Sequence, residues 1–159
     1  MESWSNFFVA VASAAATLAG LIFVAVSINL AKILSIKKLP ARALQSLVLL
    51  IIILILCMLF LVPQSLGAEG VEILCIGSIA WIFILYLDIS IYKQTGKEFK
   101  MRQFYNIILS QLSLLPYIIA GVMILRSGSN GMYWLVPGVI FSFFKSVSDA
   151  WVLLVEINR

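Results

Sequence analysis

Lys145 and Asp149 are the residues whose types and spacing most suggest chemistry, because both interrupt a long apolar segment of the sequence. A charged side chain at the centre of a bilayer costs about 2.5–3.5 kcal/mol on insertion scales, so such residues usually serve packing or function. The two lie four residues apart, which places the ammonium and the carboxylate on one face of a helix. Each then lowers the cost of burying the other. The spacing therefore predicts an intramembrane ion pair.

Ser142 and Ser146 extend this pair into a polar stripe along the same helical face. A stripe this polar does not face lipid. It faces either the interior of the protein or water in a pore formed by several copies. Three interpretations stay open for the stripe, namely a buried structural pair, a hydrated ion pathway, and a ligand or proton site.

Further polar residues lie in other apolar runs. Asn106, Ser110 and Ser113 follow an i, i+4, i+7 pattern, which turns one helical face toward protein or water. Asp88 lies near the end of its run, so we expect it close to the headgroups and paired with the lysines that follow it; a proton or ion relay is the alternative. The complete set of candidate pathway residues is Asn29, Asp88, Asn106, Ser110, Ser142, Lys145, Ser146 and Asp149.

Catalytic chemistry is not predicted. The sequence has no histidine, which excludes His-based acid–base catalysis, the usual catalytic triads and His-containing metal sites. Cys57 and Cys75 lie inside apolar runs without a CxxC spacing, as expected for buried thiols. Asp88 and Asp149 lack the local motifs of an intramembrane aspartyl protease. We therefore expect a protein that is not an enzyme and that holds neither a cofactor nor a metal.

The composition indicates the class of fold that must position these residues. With 63% hydrophobic and 11% charged residues, the chain of 159 residues has too little polar surface to coat a soluble globule. The formal charge of +4 does not predict nucleic-acid binding, because the cations lie at the ends of apolar runs, where anionic headgroups account for them. The sequence predicts a single all-α domain over residues 1–159, a bundle of five transmembrane helices at about 7–34, 43–62, 71–92, 103–125 and 133–157.

Two of the predicted helices have a distinctive pattern. In the first, Ala12, Ala16 and Gly20 recur every four residues, a spacing that lets two helix backbones approach closely. This packing seam would contact either the protein's own helices or another copy of the chain. The core of the second predicted helix, 43–62, is the run at 47–62, which has no polar side-chain atom except a thiol and a thioether and shows no preferred face, so we expect this helix to be largely surrounded by lipid.

The distribution of cations predicts an orientation. Nine of the 11 Lys and Arg residues fall in the segments 32–42 and 93–102 or at Arg159, all on one side of a five-helix topology. Cytoplasmic loops carry an excess of Lys and Arg, so we expect the N-terminus outside and the C-terminus in the cytoplasm.

Two segments carry a family resemblance. FFVAVASAAATLAGLIFVAVSINLAKIL at 7–34 and DAWVLLVEINR at 149–159 resemble the opening and closing signatures of a family of small bacterial membrane proteins, often labelled modulators of the FtsH membrane protease. The two segments cover about a quarter of the chain. Family members often have Asn where this chain has Asp149. The resemblance implies a multi-pass protein of the bacterial inner membrane with a regulatory role toward a membrane protease.

Two functions from different classes remain. The first is a homo-oligomeric channel or pore-type protein whose polar stripes, from the first, fourth and fifth predicted helices, line the pathway; the chain is too short to enclose a wide pathway alone. The second is a non-conducting regulatory or scaffold subunit of a larger membrane complex, such as a membrane protease. Its motivation is the near absence of soluble mass.

Overall fold

The structure is a computed structural model that describes residues 2–157. Within these residues every regular element is a helix, as the sequence predicts. The six α-helices are α1 Glu2–Ile28, α2 Leu30–Ser35, α3 Leu39–Leu61, α4 Leu66–Gln94, α5 Lys100–Ser127 and α6 Leu135–Ile157. Short 3₁₀ segments, Lys97–Phe99 and Gly128–Trp134, precede α5 and α6.

Several helices are long and apolar enough to cross a membrane. They are α1 from Trp4, α3, α4 and the helical stretch Lys100–Val155, which contains α5 and most of α6. The chain reverses direction within that stretch at Gly128–Trp134, as the packing of α5 against α6 shows. Gly128 supplies the positive φ of 65° that the reversal uses. The arrangement is consistent with a multi-pass membrane protein.

Helices α3 to α6 form a four-helix bundle, and α1 packs on its outside. In the bundle α3 contacts α4, α4 contacts α5, α5 contacts α6, and α6 returns to α3. Helix α1 packs mainly on α3. Its buried apolar side chains, Phe8, Ala15 and Ile22, recur every seven residues, and the ring of Phe8 stacks on that of Phe60 at 4.4 Å. Every long helix therefore has a defined protein-facing side.

The first helix is shorter at its C-terminal end than the predicted 7–34. Helix α1 ends at Ile28, and Asn29 separates it from the single turn and a half of α2. The Asn29 side-chain amide donates to the Ala25 carbonyl at 3.0 Å. This bond occupies the Ala25 carbonyl at the point where α1 ends.

The expectation that the second predicted helix is surrounded by lipid is wrong. Helix α3 contacts α1, α4 and α6, and Leu49, Ile53 and Leu56 are buried along it. A uniformly apolar helix suits a protein interior as well as lipid, since lipid tails are as apolar as leucine. The polar residues that fix its position, Arg42, Gln45 and Ser46, lie in its first two turns.

The two ends of the bundle differ in charge. One end, called the basic end below, carries the described cations Lys32, Lys37, Lys38, Arg42, Lys93, Lys100 and Arg102. Lys100 there lies 5.3 Å from the ring centre of Tyr92. At the opposite end Trp4 and Tyr133 pack edge to face at 5.2 Å. Aromatic side chains of this kind are typical of a membrane–water interface.

Candidate functional site

Helix α6 places its polar stripe inside the four-helix bundle. Ser142, Lys145, Ser146 and Asp149 are all buried, with at most 3% of each residue exposed. Lys145 Nζ donates to the Asp149 carboxylate, as the four-residue spacing predicts. Lys145 lies ten residues after the start of α6, or roughly 15 Å along a helix of 23 residues. The ion pair is therefore deep in the bundle, away from both ends.

Asp88 of α4 faces this pair. It is fully buried, and Gln45 Nε2 donates to its Oδ1 at 2.9 Å. Its other oxygen, Oδ2, is buried without a hydrogen-bond partner among the described residues. Lys145 and Asp149 both interact electrostatically with the Asp88 carboxyl. We call Asp88, Lys145 and Asp149 the charged centre.

The expectation that Asp88 pairs with the lysines that follow it is wrong, because among the described residues its buried carboxyl is bonded by Gln45 and by no lysine. Helix α4 continues six residues past Asp88 to Gln94, so the carboxyl lies roughly 9 Å inside the helix end. Lys93 is exposed, on a different face of the helix.

Hydroxyl and amide groups join the charged centre to its neighbours. Gln45 also donates to Ser110 Oγ at 3.1 Å, which ties α3 to α5. Ser146 Oγ donates to the Ser46 carbonyl at 2.9 Å, and Ser142 Oγ donates to the Ser113 carbonyl at 3.2 Å. These contacts run between helices. We call the whole set the polar core: Gln45, Ser46, Asp88, Ser110, Ser113, Ser142, Lys145, Ser146 and Asp149.

Tyr117 closes the polar core on the side away from the basic end. Its hydroxyl donates to Ser142 Oγ at 3.2 Å, and its residue is almost fully buried. Gly138 lets the ring lie against α6, because a Cβ at that position would be 2.9 Å from the ring. Beyond Tyr117 the buried side chains Leu56, Leu135 and Val139 are apolar, and Glu69 is the buried acidic residue nearest the opposite end among the described residues. The polar core therefore occupies one half of the bundle.

Helix α1 does not contribute to the polar core as described. Asn29 is half-buried and bonds to its own helix, and the hydroxyls of Ser13 and Thr17 bond carbonyls four residues earlier. The sequence predicted a polar stripe from the first, fourth and fifth predicted helices. The fourth and fifth are α5 and α6, and both contribute to the polar core. In place of the first, which is α1, the structure has α3 and α4. Asn106 is half-buried and accepts from Ser110 through its main-chain carbonyl, at 3.0 Å.

The predicted packing seam on α1 is only partly used in contacts within the chain. Ala15, rather than Ala16, is buried against the bundle, and Ala12 is half-buried. Ala16 and Gly20 are exposed, and a Cβ on Gly20 would meet no atom within 4 Å. The small-residue face that contains these two residues points away from the described helices.

Sequence reasoning missed Gln45 and Ser46, and also the buried pair of Arg42 and Gln103. Arg42 Nη2 donates to Gln103 Oε1 at 3.0 Å, one turn closer to the basic end than Gln45. A signal for them exists in the sequence. Arg42, Gln45, Ser46 and Leu49 follow the i, i+3, i+4, i+7 spacing of a single helix face, and that face is the buried one.

The charged centre holds two carboxyls and one ammonium. Arg42, the next cation on an element packed around it, is engaged by Gln103. A buried carboxylate without a matching cation is costly, so the centre is electrically balanced when one carboxyl carries a proton or a small cation joins it. Within the described residues, no group of three or more His, Cys, Asp or Glu is placed to hold a metal ion. The arrangement can bind a proton or a small cation.

Comparison with known proteins gives no independent assignment of this site. Comparisons with protein-family models, with curated proteins and with solved structures found no match to this chain. The functional interpretation therefore depends on the charged centre and on the polar core that surrounds it.

Proposed function

We propose that the chain is a non-enzymatic membrane protein of channel type in which protons move through the polar core of each protomer. The observation that carries the proposal is the charged centre: two buried carboxyls and one ammonium, contributed by α4 and α6, with Asp88 Oδ2 lacking a hydrogen-bond partner among the described residues. Ionisable residues buried within membrane helices commonly form proton relays. Their cost is tolerated because they serve function.

The groups around the centre suit this role. Serine and tyrosine hydroxyls both donate and accept, so Ser110, Ser142, Ser146 and Tyr117 can pass a proton or orient a water. The apolar half beyond Tyr117 would act as a gate, since hydrophobic constrictions close pathways by excluding water. The proposed pathway therefore lies inside one protomer and not on an axis between copies.

The proposed orientation has the basic end in the cytoplasm and the N-terminus outside, in a bacterial inner membrane. The concentration of described Lys and Arg side chains at the basic end supports it through the positive-inside rule. The resemblance of residues 7–34 and 149–159 to a bacterial family supports the choice of membrane. The exposed face of Ala16 and Gly20 supports assembly of several copies through α1.

Proton flux in liposomes tests the proposal. Purified protein is reconstituted with an internal pH-sensitive dye, and a potassium gradient with valinomycin drives protons across the membrane. We expect flux well above that of protein-free liposomes, and at least a tenfold loss in Asp88→Asn, which preserves shape and removes the ionisable group. Glu98→Gln removes an exposed carboxyl at the basic end and should leave flux unchanged.

Two outcomes of this experiment would reject proton movement through the centre. One is flux no higher than in empty liposomes, for protein shown to be folded by its thermal unfolding. The other is equal flux in Asp88→Asn and the unsubstituted protein. A loss of equal size in Glu98→Gln would point to surface charge and would also reject it.

A second candidate function is a non-conducting regulatory or scaffold subunit of a larger membrane complex such as a membrane protease. The exposed small-residue face of α1 favours it, because that face lies within the segment 7–34 that carries the family resemblance. Gentle crosslinking in native membranes should then recover a stoichiometric larger complex, and Gly20→Leu should abolish its recovery. Failure to recover any partner, together with proton flux, would decide for the channel.

A further inference from the structure

A pocket of about 480 Å³ opens at the basic end of the bundle. Its cationic lining is Lys38, Arg42 and Arg102, which come from the first turns of α3 and α5 and the residue before α3. Ligand sites typically fall between about 300 and 1,000 Å³, so the volume suits a small headgroup. We call this feature the basic pocket.

The floor of the basic pocket consists of buried side chains that bond each other, and not of flexible surface side chains. Arg42 and Gln103 are only 5% and 2% exposed, and they bond each other at 3.0 Å. An arginine held in this way presents its planar guanidinium in a fixed orientation, which matches the oxygens of a phosphate. Arg102, which is exposed, and Lys38 add positive charge at the rim.

The wall of the pocket that α6 contributes is apolar. Trp151, Val152 and Val155 of α6 line it, and the Trp151 side chain is largely exposed. A cationic floor beside an apolar wall, at the end of helices that are long enough to cross a membrane, matches an amphipathic anion better than a fully hydrated one. Tryptophan is also enriched at the depth of the headgroups.

We propose that the basic pocket binds the phosphate of an anionic phospholipid, with the acyl chains descending along Trp151 and Val155. An anionic lipid and a free phosphate ester would both place a phosphate against two arginines and a lysine. The apolar wall favours the lipid over the free phosphate ester. The site is separate from the charged centre, so the proposal does not depend on proton movement.

Fluorescence quenching of Trp151 tests the lipid site. Trp4, Trp81 and Trp134 are replaced by Phe, which leaves Trp151 as the sole tryptophan. The full chain is reconstituted in phosphatidylcholine vesicles that contain an equal small fraction of either brominated phosphatidylglycerol or brominated phosphatidylcholine. We expect stronger quenching by the brominated phosphatidylglycerol, because the anionic lipid concentrates at the pocket.

Matched charge variants separate the pocket from general surface attraction. Lys38→Gln with Arg102→Gln should remove most of the excess quenching, since each cation near the surface changes anionic-lipid affinity by roughly fivefold. Lys32→Gln with Lys93→Gln removes the same charge from exposed positions at the basic end outside the pocket. This control should keep the excess quenching. A tryptophan left only at position 134, at the opposite end, should report no difference between the two lipids.

Diffuse surface attraction and binding of a free phosphate ester would each give a different result from a lipid site. Equal quenching by the two lipids, or an equal loss in both charge variants, would overturn the proposal, because the attraction would then be absent or diffuse. A glycerol phosphate titration in pure phosphatidylcholine vesicles forms the second arm. If millimolar glycerol phosphate changes Trp151 emission and abolishes the excess quenching, the site takes free phosphate esters and the lipid assignment is wrong.

Discussion

At the scale of residues, the ion pair and Asp88 show what sequence can and cannot predict about a buried site. Lys145 and Asp149 could be predicted because both partners lie on one helix, where spacing alone fixes their geometry. Asp88 and Gln45 could not, because they meet across 43 residues and only the packing of α3 on α4 joins them. The spacing of Arg42, Gln45 and Ser46 indicates a polar face at the start of α3. The long apolar run that follows these residues dominates the pattern of the helix and predicts a lipid-facing segment instead.

The burial of Lys145 makes its pairing energetically decisive. Lys145→Met leaves Asp149 buried without its donor, so we expect a loss of about 3–5 kcal/mol in the free energy of unfolding. In Lys145→Met with Asp149→Leu both charges are gone, and part of that loss should be recovered. A double-mutant cycle, measured by reversible unfolding in mixed micelles, should give a coupling of about 1–3 kcal/mol. Additive effects would show that the two residues do not interact.

Exposed charges provide the matched control for that cycle. Lys93→Met and Glu98→Leu, separately and together, change side chains that lie on the surface of the basic end. Exposed charges contribute little, so each effect should stay within about 0.5 kcal/mol and the two should add. Coupling of similar size in both cycles would mean that the unfolding assay responds to net charge and not to the buried pair.

At the scale of elements, the two glycine-containing faces of α1 and α5 have opposite roles. Gly121 of α5 faces the α4 backbone, and a Cβ there would lie 2.9 Å from Leu74 N. Gly20 of α1 faces open space. The sequence shows a small residue in both places, since spacing reveals that a close approach is possible but does not reveal which surface approaches.

Leucine substitutions at the two glycines should therefore separate protomer folding from assembly. Gly121→Leu must push α4 away from α5, since backbone atoms cannot yield as a side chain can, and we expect a loss of about 3 kcal/mol or more in stability. Gly20→Leu should leave thermal unfolding of the protomer nearly unchanged while reducing the particle mass measured by light scattering in mild detergent. An unchanged mass would show that copies do not meet through this face of α1.

At the scale of the whole molecule, polarity is distributed unevenly along the bundle axis. The basic pocket, the Arg42–Gln103 pair and the polar core follow one another inward from the basic end, and mainly apolar side chains, with buried Glu69 near the far end, fill the other half. The loop cations that predict orientation are thus on the side from which the polar core is approached. In the proposed orientation that side is the cytoplasm.

The orientation itself makes the last prediction. With Cys57 and Cys75 replaced by Ala, a single cysteine is introduced at Gly96, exposed at the basic end, or at Ser129, exposed at the opposite end. In intact bacterial cells a membrane-impermeant maleimide should label Ser129→Cys at once and Gly96→Cys only after permeabilisation, because the excess of Lys and Arg keeps the basic end inside. The reverse pattern would put the basic pocket outside. Labelling of both sites in intact cells would mean that the chain inserts in two orientations, so that the polar cores of different copies would open to opposite sides of the membrane.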